Sequence, residues 1–230
     1  MSMELPKGLD LKRDENGLFL SSEEGLSLRG DFSHLAARLK HHNLSGELVV
    51  KAAKIRTKDS LTVLDATAGL GEDSFLLAGA GFHVELYEYD PVIAALLKDA
   101  IDRALSDPEE TVRKAAARLT FHEGDSIEAM KRIAAAAADG KGTEAFRPDV
   151  ILLDPMFPER KKSGLIKKKF QLLQQLERPC EDEDALLSAA IGAKPVKVIV
   201  KRPLKGPYLA GRKPDYSLPG KAIRYDVILL

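Results

Sequence analysis

The chain has no tryptophan, one cysteine (Cys180) and no net charge, because 35 lysines and arginines balance 35 aspartates and glutamates. A lone cysteine excludes an internal disulfide framework and suits a reducing compartment. The five histidines show no metal-ligand spacing, so no structural metal is expected. Charge balance removes any general electrostatic reason for a nucleic-acid or membrane partner, so such an attraction has to be local. The N-terminus lacks the apolar stretch of a signal peptide, and no run approaches the roughly 18 apolar residues of a membrane span. The expectation is a soluble, cytoplasmic protein with no membrane association; its oligomeric state leaves no signature in the sequence.

What is present is enough for a packed core: 44% of the 230 residues are hydrophobic, which accommodates one sizeable α/β domain and a small appendage. The first thirty residues read as a β-meander. Leu9-Asp10-Leu11, Leu18-Phe19-Leu20 and Leu26-Ser27-Leu28 alternate apolar with polar, and Asn16-Gly17 and Glu24-Gly25 are turn signals between them. From Phe32 the spacing of Leu35, Leu39, Leu48, Val49, Ala52 and Ala53 is helical, with Ser45 as the expected N-cap of the second segment and Arg38 to His42 as a basic connector. These observations divide the chain into a meander and helical connector over residues 1–45 and a main domain over 46–230.

Beyond Ser60 strands alternate with helices. Strands are expected at Leu61 to Leu64, His83 to Tyr87, Leu119 to His122, Val150 to Leu153, Val196 to Val200 and Tyr225 to Leu230. That alternation predicts a doubly wound, mostly parallel α/β sheet. The clearest helix runs from Pro91 to Leu105, where Asp90 caps, proline suits the first turn and Ile93, Leu96, Leu97 and Ile101 share a face. Residues 203–221, rich in Gly, Pro and Tyr, read as a long loop.

In an open α/β sheet, ligands bind outside the carboxyl ends of the strands. The first strand runs into Asp65-Ala66-Thr67-Ala68-Gly69-Leu70-Gly71, whose glycines let the backbone pass close to a nucleotide-like ligand or simply make a tight connection. The second ends at Glu88, where a carboxylate accepts hydrogen bonds from both ribose hydroxyls unless it is a solvated charge. The third ends at Asp125 and Ser126, in position for an adenine amino group, with helix capping as the plainer alternative. The fourth runs into Asp154-Pro155-Met156-Phe157-Pro158. Two prolines flanking an aromatic make a stiff turn, and a carboxylate, carbonyls and a ring suit a flat base bearing an amine.

Asp65-Ala66-Thr67-Ala68-Gly69-Leu70-Gly71 with Asp73, Leu153-Asp154-Pro155-Met156-Phe157-Pro158, Val200-Lys201-Arg202-Pro203 and Arg224-Tyr225-Asp226 together resemble the RsmJ family of 16S ribosomal RNA guanine methyltransferases. The resemblance to class I methyltransferases in general spans roughly residues 46 to 230. It implies a Rossmann-like class I methyltransferase sheet, S-adenosylmethionine as cofactor and 16S ribosomal RNA or the small ribosomal subunit as partner. It also implies cofactor contacts at Glu72, Asp73, Glu88, Tyr89, Asp125, Ser126 and Asp154, beside Asp65, Gly69 and Gly71 of the glycine turn. The chain departs from the family pattern at Glu72 and Asp125 and is shorter at its N-terminus.

On that resemblance, Asp154 and the carbonyl of Pro155 each accept one N–H of a guanine exocyclic amine while Phe157 stacks on the flipped-out base. Cations for the RNA backbone follow in two groups: Arg160, Lys161, Lys162, Lys167, Lys168 and Lys169, then Lys201, Arg202, Lys205, Arg212 and Lys213 with Tyr208 and Tyr216 interleaved. Either group also reads as a solvated face. Three rivals stay open on sequence alone. One is a nicotinamide-dependent oxidoreductase, which lacks the third glycine because Ser74 stands in its place. The second is methyl transfer to another amine, and the third is a non-catalytic, cofactor-binding assembly factor.

Overall fold

Residues alternate between two buried faces along the central strands, and that period of two organises the molecule. A computed structural model describes residues 5–58, 60–138, 146–155, 172, 176 and 182–230. Val150 and Leu152 point into one core with Val63, Val84, Leu86 and Ile199; Ile151 and Leu153 point into another with Leu64, Val198 and Val200. A strand buried on both faces needs helices on both sides, and the gaps supply them.

The main sheet contains β4 (Thr62–Asp65), β5 (His83–Glu88), β6 (Leu119–Glu123), β7 (Val150–Leu153), β8 (Lys197–Pro203), β9 (Tyr216–Pro219) and β10 (Ile223–Leu229). Among the described residues it has seven strands in the order β6-β5-β4-β7-β8-β10-β9. β6, β5, β4, β7 and β8 are parallel, whereas β10 runs antiparallel to both β8 and β9. Helices α2 (Leu48–Ala53), α3 (Glu72–Gly79), α4 (Pro91–Ala104) and α5 (Glu110–Ala116) line the first core, and α6 (Ser126–Ala138) and α7 (Glu183–Gly192) the second. The doubly wound expectation holds. Strand order reverses between β4 and β7, so a crevice opens at their carboxyl ends, where ligands bind in such sheets.

Asp90 caps α4 as expected, accepting from the backbone N–H groups of Val92 at 2.9 Å and Ile93 at 3.0 Å, with Pro91 in the first turn. Two expectations need correction. Ser45 does not cap α2: the cap position is Glu47, whose carboxylate is held by Arg38 at 2.7 and 2.8 Å, while the Ser45 hydroxyl donates to the His42 carbonyl. Residues 203–221 are not one long loop either. They contain a 3₁₀ turn at Leu209–Gly211 and strand β9, which is short, ends in proline and pairs as a hairpin with the Arg224 to Val227 stretch of β10 that follows it directly.

Near the N-terminus, β1 (Leu9–Asp14), β2 (Gly17–Ser22) and β3 (Ser27–Leu28) form the antiparallel meander. Leu9, Leu20 and Leu28 pack against Val92, Ile93 and Leu96 of α4, together with Leu172 and Leu176. Polar ties lock the same contact: Asp99 of α4 accepts from the Leu18 N–H at 3.0 Å and pairs with Arg103 at 2.8 Å and Arg13 at 2.7 Å. Gly17 has φ +107°, and a side chain there would overlap Asp99 and Arg103. The connector is helical only in short pieces, a 3₁₀ turn at Ser33–Leu35 and α1 (His41–Leu44). Phe32 stacks on Phe75 of α3 at 4.3 Å between ring centroids, so the connector braces the helix that begins the glycine turn's far side. Among the described residues no helix is long and apolar enough to cross a membrane.

Candidate active site

β4 delivers Asp65 to the crevice with its side chain buried. One oxygen accepts from the Thr67 N–H at 3.1 Å and the other from the Ser74 hydroxyl at 2.6 Å. Burial pushes this carboxyl up to about 7, against those two hydrogen bonds. The turn that follows is stitched into the sheet at both sides, by Ala66 N–H to the Leu152 carbonyl and Ala68 N–H to the Tyr87 carbonyl, each at 3.0 Å. Gly69 and Gly71 both take positive φ, +55° and +76°. Gly71 caps α3, and a Cβ there would come within 2.7 Å of Leu97, so the backbone passes where no side chain fits.

Glu88, at the tip of β5, is held by that turn. Its Oε2 accepts from the Gly69 N–H and its Oε1 from the Asp90 N–H, both at 2.8 Å. Each oxygen keeps a lone pair for a further donor, so this is an oriented carboxylate suited to a pair of ribose hydroxyls. Burial raises its pKa while the two amides oppose the rise. At the next strand tip Asp125 accepts from the Ile127 N–H at 2.8 Å, so it caps α6, and Ser126 beside it is buried. Tyr89 is exposed and Glu72 lies at the rim, 3.5 Å from His34.

Asp154 emerges from β7 onto the other side of the glycine turn. Its backbone N–H donates to Thr67 Oγ1 at 2.6 Å, and its Oδ2 lies 2.9 Å from the Lys201 ammonium. The same ammonium donates to Asp73 Oδ2 at 2.9 Å, and the Tyr225 hydroxyl donates to that oxygen at 2.8 Å. Four elements thus meet: α3 brings Asp73, β7 leads to Asp154, β8 brings Lys201, and β10 brings Tyr225, which stands opposite Lys201 in the antiparallel register. Burial alone would lower the Lys201 pKa, but the two carboxylates outweigh it and the net shift is upward. Burial and the Asp73 charge raise Tyr225, which stays a neutral donor. Burial also raises Asp154, with Lys201 opposing. Its side chain is crowded by protein yet 40% open to solvent, so it faces the crevice.

The structure therefore brings together Asp65, Gly69, Gly71, Asp73, Glu88 and Asp154 around one crevice, with Ser126 buried at the neighbouring tip. Lys201, read from sequence as an RNA-facing cation, instead points into this crevice. Arg202, placed with it, is turned away: its side chain is buried, holding Glu183 at 2.9 Å and the Pro207 carbonyl at 3.1 Å. Alternation along β8 separates the two neighbours. Pro155 is buried beside Asp154. Phe157, Lys161, Lys167, Lys168 and Lys169 lie outside the described residues. Tyr225 was missed as a site residue; its signal was the Arg224-Tyr225-Asp226 ending, which by strand pairing falls beside Val200-Lys201-Arg202.

The donor set fits S-adenosylmethionine: a doubly anchored carboxylate suited to a ribose, a close-approaching glycine backbone, and fixed charges of both signs beside that turn. Known proteins agree. A family model described as a putative SAM-dependent methyltransferase matches residues 7–230. A ribosomal RNA small subunit methyltransferase J from Pseudomonas aeruginosa is 41% identical over 235 residues, covering 96% of this chain and 85% of the relative. The protein of the same name from Neisseria meningitidis is 42% identical over 199 residues, covering 86% of this chain and 75% of the relative. A crystal structure of a SAM-dependent methyltransferase from Neisseria gonorrhoeae superposes with a TM-score of 0.74 at 36% identity, covering all of this chain and 86% of that one. By sequence and by fold, the chain belongs to the RsmJ family of S-adenosylmethionine-dependent methyltransferases.

Proposed function

We propose that this methyltransferase acts on small-subunit (16S) ribosomal RNA and places a methyl group on the exocyclic amine of a guanine. The relatives' names point to small-subunit RNA, and the chemistry of the β7 tip favours an amine. The observation that carries the reading is the placement of Asp154: a carboxylate open to the crevice, anchored through its backbone to the glycine turn and followed by a proline that offers no N–H.

The cofactor supplies an electrophilic sulfonium methyl. The nucleophile is poor, because the guanine amine lone pair is delocalised into the ring. Asp154 accepts one of the amine's N–H groups, turns its lone pair toward the methyl and stabilises the positive charge that grows on nitrogen. Lys201 engages Oδ2, which leaves Oδ1 for the amine. A raised pKa makes the carboxylate a better acceptor for the proton that nitrogen sheds after transfer. Pro155 contributes a second acceptor through its carbonyl, and Phe157 a stacking surface for the flipped-out base. Unstacking that base costs a few kcal/mol, and an aromatic platform returns about 1–3 kcal/mol.

RNA backbone contacts fall to exposed cations of the segment between β8 and β9, Lys205, Arg212 and Lys213, with Tyr208 and Tyr216 exposed among them, and to Lys161 and Lys167 to Lys169, which follow β7 in sequence. Asp154→Asn tests the reading. It keeps an oxygen for Lys201 but weakens charge stabilisation, so single-turnover methyl transfer at saturating cofactor is expected to slow by roughly 10²-fold. An unchanged transfer rate would remove Asp154 from the chemistry. A protein that binds cofactor yet transfers no methyl to RNA, DNA or protein would favour a non-catalytic assembly role.

A further inference from the structure

We infer that Lys201 and Asp73 form a charge-paired clamp for the amino-acid end of the cofactor, Lys201 taking its α-carboxylate and Asp73 its α-ammonium. The inference rests on the reading of the glycine turn as the cofactor site. It turns on what the Lys201 ammonium has left to give. An ammonium carries three donors. Among the described residues two are directed at Asp73 and Asp154, both at 2.9 Å, and these fix the group in place. The third has no acceptor among the described residues, and the side chain is 27% exposed, so it can meet a ligand from the crevice.

Asp73 is arranged in the complementary way. Lys201 and the Tyr225 hydroxyl both donate to its Oδ2, which leaves Oδ1 for another cation or donor. Asp73 also sits in the first turn of α3, immediately past the glycines, so the ligand that threads the turn reaches it. A positive and a negative group held side by side, each with one unspent bonding direction, match an α-amino acid, which carries the same two charges on one carbon. Charge counting favours the same ligand: Asp73, Asp154 and Lys201 sum to one negative charge, and S-adenosylmethionine, with sulfonium, ammonium and carboxylate, to one positive. Lys201 is thereby a cofactor residue and not part of the RNA surface.

Calorimetry with three ligands separates the roles: S-adenosylmethionine, its decarboxylated form, and 5′-methylthioadenosine, which lacks the amino-acid end. Lys201→Met is expected to lose roughly ten- to hundredfold in affinity for S-adenosylmethionine, the span of one charge-assisted hydrogen bond. Decarboxylated cofactor and methylthioadenosine should bind it within about threefold of wild type, and Lys201→Arg should recover most of the loss. Lys201→Gln, which retains a donor to Asp73, carries the same comparison if the methionine variant does not fold. Equal losses for all three ligands would make Lys201 a structural counter-ion and overturn the clamp. So would an RNA affinity that falls while cofactor affinity holds. Wild-type protein that binds none of the three would overturn the cofactor assignment itself, and the clamp with it.

Discussion

The backbone N–H of Asp154 and the hydroxyl oxygen of Thr67 lie 2.6 Å apart, joining the tip of β7 to the glycine turn after β4. The Ala66 N–H already joins this turn to the Leu152 carbonyl, so the tip of β7 is tied to it twice and the Asp154 carboxylate takes its position from the glycine turn. Thr67→Val removes the acceptor and keeps the shape. It is expected to cost about 1–2 kcal/mol of stability, because a partly buried N–H is left without an acceptor. Methyl transfer should slow and methylthioadenosine binding should hold, whereas Thr67→Ser should behave as wild type in denaturant melts and single-turnover assays. A Thr67→Val enzyme as fast as wild type would show that the link does not position Asp154.

Asp65 gives the protein a pH signature. Its carboxyl, ordinarily at 3.8, is pushed up to about 7 by burial, with the Asp73 and Asp154 charges adding and the Ser74 and Thr67 hydrogen bonds subtracting. A carboxyl with a higher pKa folded than unfolded binds its proton more tightly in the folded state. The fold therefore loses stability as pH climbs from 3.8 through about 7, and the loss is complete above that. Denaturant unfolding of wild type relative to Asp65→Asn should accordingly show a difference that widens between pH of about 4 and 7 and levels off above about 8. A difference independent of pH would mean that Asp65 is ionised throughout.

Arg202 should behave as a structural residue. Its buried side chain pairs with Glu183 at 2.9 Å, across β8 and the start of α7. Arg202→Met strands that carboxylate, at an expected cost of about 3 kcal/mol, the low end for breaking a buried pair because Glu183 is 33% exposed. Thermal melts should reveal the loss, and RNA binding by the folded fraction should be normal. A stable variant with weakened RNA affinity would return Arg202 to the RNA surface.

The double reversal Arg212→Glu with Lys213→Glu addresses the exposed cations between β8 and β9. It should weaken RNA binding and reduce the salt slope by about 0.7 to 0.9 for each phosphate that is no longer neutralised, with cofactor affinity unchanged. Filter binding across a salt series reads both quantities. An unaltered slope would make this a solvated face.

Much of the fold and the site is legible in the sequence because the signals are local. Val150-Ile151-Leu152-Leu153 is apolar on both faces, as a central parallel strand must be, and Asp90-Pro91 marks a helix start whatever surrounds it. Glu88 and Asp154 can be placed at the crevice because both follow strands. β9 is hidden because Tyr216–Pro219 is short and ends in proline, which an edge strand tolerates but which reads as loop in the sequence. The Lys201 cluster is hidden for a different reason. Asp73 and Lys201 are 128 positions apart, and only the sheet order and the alternation along β8 decide that Lys201 faces the crevice and Arg202 does not.

The most direct measurement is mass spectrometry of nucleosides from unmodified small ribosomal subunits incubated with the purified protein and S-adenosylmethionine carrying a deuterated methyl. The expected result is deuterated N2-methylguanosine at one position of 16S RNA, lost or strongly slowed with Asp154→Asn. Label on any other nucleoside, or on protein alone, would contradict a guanine amine held by Asp154.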